Sequence, residues 1–341
     1  MRYDFPYGPY GAYGYPQAAF AMMEEKREIR KEANRAGWAA VTGIALMFAL
    51  ALAGRSLYVL QGWPVSPRYG EFGGLDPVMY YLITALAYTG GVAIPVLIYF
   101  AARRIPLSRG LPFERTGALR TAALVLLGGA GCMLANIPAN FIVNLERTFG
   151  FSGDLPEMPL NDNPAVIALY IVSTVVIPPV VEEMMFRGLI LQGLRRFGDG
   201  FAVAASAVMF GLYHGNFAQG VFAFLCGLVL GLAVVRSNSL LPAILIHTVN
   251  NASAVFLELA ERYYGAGAAN FANGVRMLLL LGFGLLAVVY LVLKDRDFFR
   301  ARIPVSPLRF SAKLGAAFSN PGMIVLTLYA LFGSIRTLTG S

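Results

Sequence analysis

Two glutamates and an arginine, Glu182, Glu183 and Arg187, stand in the stretch PVVEEMMFRG directly after the apolar run PAVIALYIVSTVVIPPVV. The chain has 2 histidines, His214 in FGLYHG and His247 in HTVNN, and both fall in apolar surroundings. Carboxylates and imidazoles are the side chains that move protons near neutral pH, so these three places are where acid–base chemistry could be done. Helical spacing gives each place a shape. Glu183 and Arg187 are i and i+4, on one face, and can pair. Glu182 is turned ~100° from Glu183 and lies five residues from Arg187, which leaves it the less neutralised carboxylate. Phe210 sits one turn from His214. His247 and Asn251 share a face and can both donate a hydrogen bond toward one point, while Asn250 is expected to point elsewhere.

The elements that must hold these groups are membrane helices. Of 341 residues, 57% are hydrophobic and only 13% charged, against the roughly 25% charged residues of an ordinary soluble domain. The mean hydropathy is +0.62. Apolar runs long enough to cross a ~30 Å hydrocarbon core recur near 37–54, 78–102, 121–143, 164–181 with an extension to 197, 201–216, 218–235, 240–258, 277–293 and 320–335. The last holds Asn320 and Pro321 at its start and is the weakest of them. The expected fold is therefore an all-α polytopic bundle of eight or nine transmembrane helices, with the polar groups between segments 4, 5 and 7. A charge near the centre of a span costs about 2.5–3.5 kcal/mol on insertion scales, so each needs a partner or a task.

Most of the 27 Lys and Arg residues fall on the side of the membrane that carries the N-terminus, as in Lys26 to Arg35, Arg103 to Arg120, and Arg195 with Arg196. Arg55, Arg68, Arg147, Arg262, Arg276 and Arg336 fall on the other. Cytoplasmic loops collect basic residues, which predicts a multi-pass protein of the cell membrane with a cytoplasmic N-terminus. The net charge of +8 is thus a topology signal, and nucleic-acid binding is not expected. Residues 1–35 divide into a Tyr/Gly/Pro-rich tail without helical period, read as disordered, and a charged juxtamembrane helix whose basic residues favour anionic lipid heads. Residues 36–341 form one helical membrane domain. Gly227 and Gly231, with Gly220 one heptad earlier, mark close helix packing. Cys132 and Cys226 show no metal or redox spacing and are expected to pack as small hydrophobes.

Depth brings the polar places together. Arg195 follows Glu183 by twelve residues and His214 follows Phe201 by thirteen, so two helices joined by RRFGDG set both groups ~20 Å from that turn. His247 enters from the same side after RSNSL. The three places can converge on one buried polar pocket, expected to open toward the cytoplasm. Two Glu and two His could also ligate zinc, although HExxH is absent; metal-free chemistry is the favoured expectation, with no cofactor and zinc as the alternative.

The ordered triple EExxxR (Glu182, Glu183, Arg187), FxxxH (Phe210, His214) and HxxxN (His247, Asn251) resembles the CAAX-protease and bacteriocin-processing family of intramembrane glutamic endopeptidases, which includes the Ras-converting CAAX prenyl proteases. The resemblance covers roughly residues 164–260. It implies that Glu182 and His214 activate water, that His247 and Asn251 donate to the oxyanion of the tetrahedral intermediate, and that Glu183 and Arg187 support the site along with Phe210. An oxyanion donor is worth about 3–4 kcal/mol where one has been removed. The implied partner is a peptide or protein near the membrane, lipidated or not, besides the membrane lipids themselves. A non-catalytic scaffold or immunity-type protein of the same fold, and a proton-coupled transporter using the Glu/His pair, are the competing classes.

Overall fold

The computed structural model describes residues 15–151, 158–300 and 306–339. Among them the chain is a multi-pass helical bundle, and no strand is formed. The main elements are α1 (Tyr15–Leu60), α2 (Pro77–Ala102), α3 (Ala118–Thr148), α4 (Pro164–Phe197), α5 (Asp199–Tyr213), α6 (Phe217–Ser237), α7 (Leu241–Lys294), α8 (Phe310–Phe318) and α9 (Pro321–Thr339). All but α5 and α8 are long and apolar enough to cross a membrane. The apolar runs read from the sequence each find a helix, including the doubtful last one, which becomes α9 and packs on α1 and α5.

Local sequence sets where these helices start. Asp76 accepts from the backbone N–H groups of Val78 and Met79 ahead of α2, Asn163 from Ala165 ahead of α4, and Asn216 from Gln219 ahead of α6. Pro77 and Pro164 stand at the first positions, where no N–H is needed. The long α7 would extend ~80 Å if straight, far beyond the ~30 Å core. It is interrupted at Gly265, where φ 82° and ψ 168° turn the chain. Glycine adopts such angles without steric cost, so residues 241–264 and 266–294 act as two spans.

Two features of the middle of the bundle depart from a plain reading of hydropathy. First, α5 ends at Tyr213 with His214 as its cap, rather than continuing to 216. Its 15 residues cover ~22 Å, so the histidine-bearing turn sits inside the membrane thickness. Second, Pro178 and Pro179 do not break α4. The chain stays helical through them and instead widens into π-helical segments at Val172–Val176 and Met184–Leu191, which flank Ile177–Glu183. A proline removes the N–H that the carbonyl four residues earlier would use, and one-residue widening absorbs the misfit.

Connections sort to two ends. At the Lys/Arg-rich end, Arg196 meets Glu28 at 3.1 Å, Lys313 meets Glu25 at 3.4 Å, Arg120 meets Asp295 at 3.6 Å and Arg195 donates to Asn238 at 2.7 Å. At the opposite end, Tyr81 donates to the Pro159 carbonyl at 2.7 Å and Arg262 meets Asp162 at 3.1 Å. The juxtamembrane helix is one piece with the first span, and Tyr15–Gln17, counted with the tail, begin α1; residues 1–14 lie outside the described residues. Its charges are sorted by the fold. Glu25, Glu28 and Glu32 turn inward to Lys313, Arg196 and Tyr99, while Lys26, Arg27, Arg30 and Lys31 line an outer groove with Asn34, Asn320 and Pro321.

Candidate active site

The segment Ile177–Glu183 carries both glutamates into the core, where Glu182 is 4% exposed and Glu183 and Arg187 are 0% exposed. Arg187 Nη1 lies 2.9 Å from Glu183 Oε1, and its Nη2 donates to the Gly227 carbonyl at 3.3 Å. The guanidinium stacks 4.5 Å from the centre of the Phe210 ring. A Cβ at Gly227 would stand 2.9 Å from Ala207 Cα, so α5 and α6 approach closely because that residue has no side chain. The expected Glu183–Arg187 pair is thus present, and Phe210 supports it as well as His214.

Both histidines are oriented through Nδ1. His214 Nδ1 lies 2.8 Å from the Phe210 carbonyl, which can only accept, so Nδ1 carries the proton and Nε2 of the neutral ring is left basic. The Phe210 ring packs edge-on against this imidazole at 4.9 Å and against His247 at 5.9 Å. His247 Nδ1 lies 3.1 Å from Glu183 Oε1, and its Nε2 lies 3.8 Å from Glu182 Oε2. The second glutamate therefore does two things, binding Arg187 and aiming His247 at the first.

Asn251 Nδ2 donates to the Thr174 carbonyl at 2.9 Å. Positions four and five residues after Thr174 are Pro178 and Pro179, neither of which has an N–H. The prolines thus orphan a carbonyl in α4, and Asn251 from α7 satisfies it. The amide has a second N–H, which this bond leaves over. Asn250 does not point away as expected; it donates to Asn251 Oδ1 at 3.2 Å and lines the same cavity.

That cavity, of about 430 Å³, is walled by Glu182, Phe210, His214, His247 and Asn251, with Asn250 joining them. Glu183 and Arg187 stand behind the wall. Its apolar lining includes Ile44, Met47, Ile177 and Phe222. Cys132 and Cys226 are buried small hydrophobes, as expected, but both also face the cavity. Sequence reasoning missed three tyrosines that the tertiary structure brings here from separate helices: Tyr88, Tyr213 and Tyr329. Tyr88 donates its hydroxyl to Glu182 Oε1. The one signal available was a hydroxyl-bearing ring inside an apolar run, which also fits an ordinary packed tyrosine.

The cavity does not lead toward the Lys/Arg-rich end, contrary to expectation. Among the described residues its lining includes Met158, from the connection entering α4 at the other end, and none from the basic connections. Large apolar side chains of α4 below the glutamates fill the space where the opening was expected.

No curated protein and no solved structure matches the chain. Residues 164–253, which hold every motif residue of the site, match the family model described as Type II CAAX prenyl endopeptidase Rce1-like. Through that segment the chain is similar to the CAAX protease family.

Proposed function

We propose that the protein is an intramembrane endopeptidase that hydrolyses a peptide bond with water activated by Glu182 and His214. The observation that carries this reading is the state of Glu182. Its Oε1 is held by Tyr88, whereas its Oε2 is buried without a hydrogen-bond partner in the protein, 3.8 Å from His247 Nε2, and Glu182 itself lines the cavity. A buried carboxylate oxygen left without a partner is costly unless a ligand or water takes the place, as a general base requires.

In this scheme Glu182 accepts a proton from water while the oxygen bonds to the substrate's carbonyl carbon. His214, basic at Nε2, shares that proton and returns it to the amine as the C–N bond breaks. His247 and Asn251 donate to the oxyanion, Asn251 through the N–H not used by Thr174. For His247 to donate from Nε2 while Nδ1 serves Glu183, both nitrogens must carry protons. An imidazolium there, with Arg187, would offset the two glutamates.

The donor arrangement supports metal-free chemistry. Glu183 is committed to Arg187 and His247, and His214 Nδ1 to a carbonyl. Among the described residues no group of three or more His, Cys, Asp or Glu side chains is placed to hold one ion, as a zinc hydrolase needs. The proposed setting is the cell membrane, with the Lys/Arg-rich end cytoplasmic, and the substrate is a protein segment near the membrane. The reading is tested by mapping newly formed protein termini in cells carrying the wild-type chain or Glu182→Ala. Termini lost in the variant are expected; identical sets of termini would overturn the proposal.

A further inference from the structure

The fold gathers the juxtamembrane cations into one place. Lys26, Arg27, Arg30 and Lys31 line the outer groove between α1 and the start of α9, together with Asn34 and Asn320. Among the described residues no Asp or Glu lines it. Glu25, Glu28 and Glu32 turn inward, and Glu24, though exposed, stands outside the groove. Arg30 Nη2 donates to the Ser319 carbonyl at 2.9 Å, and Lys31 reaches Glu28 only at 3.9 Å between partly exposed side chains, a weak pair. Lys26 with Arg30 and Arg27 with Lys31 are like charges at i and i+4, which is unfavourable unless an anion lies between them.

Depth narrows the anion. The apolar run of α1 begins near residue 37, so Arg30, Lys31 and Asn34 stand within ~10 Å of the hydrocarbon, at the level of lipid headgroups. Below the groove the same helix faces are apolar and open to lipid. Trp38, one turn after Asn34, is 44% exposed, and Ile324 and Leu328, which follow Pro321 along α9, are 52% and 58% exposed. Tryptophan at this level is a common interface anchor. A molecule with a phosphate above and acyl chains below matches both halves of this surface; a free phosphate matches only the upper one.

The groove also lies on a structural junction. A Cβ at Gly37 would stand 2.6 Å from the Gly322 carbonyl carbon, and Asn34 Oδ1 accepts from the Gly322 N–H at 2.8 Å, so α1 and the start of α9 are in backbone contact. Farther along, α9 brings Tyr329 to the cavity wall and leaves no room for a Cβ at Gly333 beside the carbonyl of Gly215, the residue after His214.

We propose that this groove is a binding site for an anionic phospholipid, held by its phosphate, and that the bound headgroup braces α1 against α9. The site does not rest on the proteolytic reading.

Delipidated protein in detergent, titrated with phosphatidylglycerol, phosphatidylcholine or inorganic phosphate and followed by native mass spectrometry and thermal unfolding, tests it. Phosphatidylglycerol is expected to bind at least about tenfold more tightly than phosphatidylcholine, and Lys26→Gln/Arg27→Gln/Lys31→Gln should remove most of that preference. Arg104→Gln/Arg109→Gln/Arg115→Gln removes as many exposed charges from the same end outside the groove and should change binding by no more than about twofold. Phosphatidylglycerol should raise Tm in the wild type and not in the groove variant. Equal binding of the two lipids, or equal losses in the two triple variants, would reduce the groove to diffuse surface charge and overturn the site. Inorganic phosphate that displaces the lipid and raises Tm as much would overturn the lipid as its ligand, and a wild-type Tm unmoved by bound lipid would overturn the brace.

Discussion

The hydroxyl of Tyr88 on α2 donates to Oε1 of Glu182 on α4, across 94 residues of sequence. Tyr88 lies outside the matched segment 164–253, so this contact belongs to the chain's own bundle rather than to the motif triple. With Oε1 so held, Oε2 is left without a hydrogen-bond partner in the protein, and it is the oxygen to which the proposed mechanism assigns the proton from water.

Tyr88→Phe keeps the ring and removes only the donor. The expected outcome is a loss in kcat of roughly tenfold to a hundredfold, as when other groups that orient a catalytic side chain are removed. KM should stay within about twofold, because a group acting on the base alone leaves substrate binding unchanged. A matching rise in KM, or an unaltered kcat, in a purified assay would argue against this role.

Arg187 should be a stability residue first. Arg187→Met leaves Glu183 buried, with His247 as its remaining hydrogen-bond partner, and removes the guanidinium donor from the Gly227 carbonyl. Removing one member of a buried ion pair costs about 3–5 kcal/mol. Thermal unfolding in detergent should show a large drop, and Arg187→Lys should not rescue it, since an ammonium cannot serve Glu183, Gly227 and the Phe210 face together.

Asn251 carries two tasks that a double substitution separates. Asn251→Ala strands the Thr174 carbonyl, an expected cost of about 1–3 kcal/mol in stability. Adding Pro178→Ala restores an N–H four residues after Thr174 and should recover much of that stability. Activity should remain low in the double variant, because the oxyanion donor is still missing. Recovery of both would reduce Asn251 to a helix brace.

Metal chelation separates the glutamic from the zinc scheme. Purified protein treated with a strong chelator should retain its peptidase rate, since Glu183 and His214 are already committed to Arg187 and Phe210. Loss of activity that zinc restores would sink the metal-free mechanism.

Much of this site was legible because helices impose a period. The i, i+4 pairs Glu183–Arg187, Phe210–His214 and His247–Asn251 each share a face on a helix, and polar residues in hydrocarbon stand out by their cost. The helix count was legible for the same reason: apolar run length measures the membrane. Less was legible wherever the partner came from another helix. Glu183 meets His247 as well as Arg187, and Asn251 meets the carbonyl that Pro178 and Pro179 leave open, contacts that no spacing along one helix encodes.

The direction of the cavity shows this most clearly. Depth along single helices placed the glutamates, His214 and His247 near one level, but it could not tell which side of that level would be filled. Met185, Phe186, Leu189 and their neighbours are apolar residues like those of any span, and only their packing against α2, α5 and α6 makes them a plug. The sequence by itself determined that the chain crosses a membrane, which end is basic, and which residues are equipped to move protons, because hydropathy, charge and helical period are local properties. The tertiary structure alone decided that Tyr88 holds Glu182, that Glu183 aims His247, and that the cavity turns away from the basic end, because these depend on which helix faces come into contact.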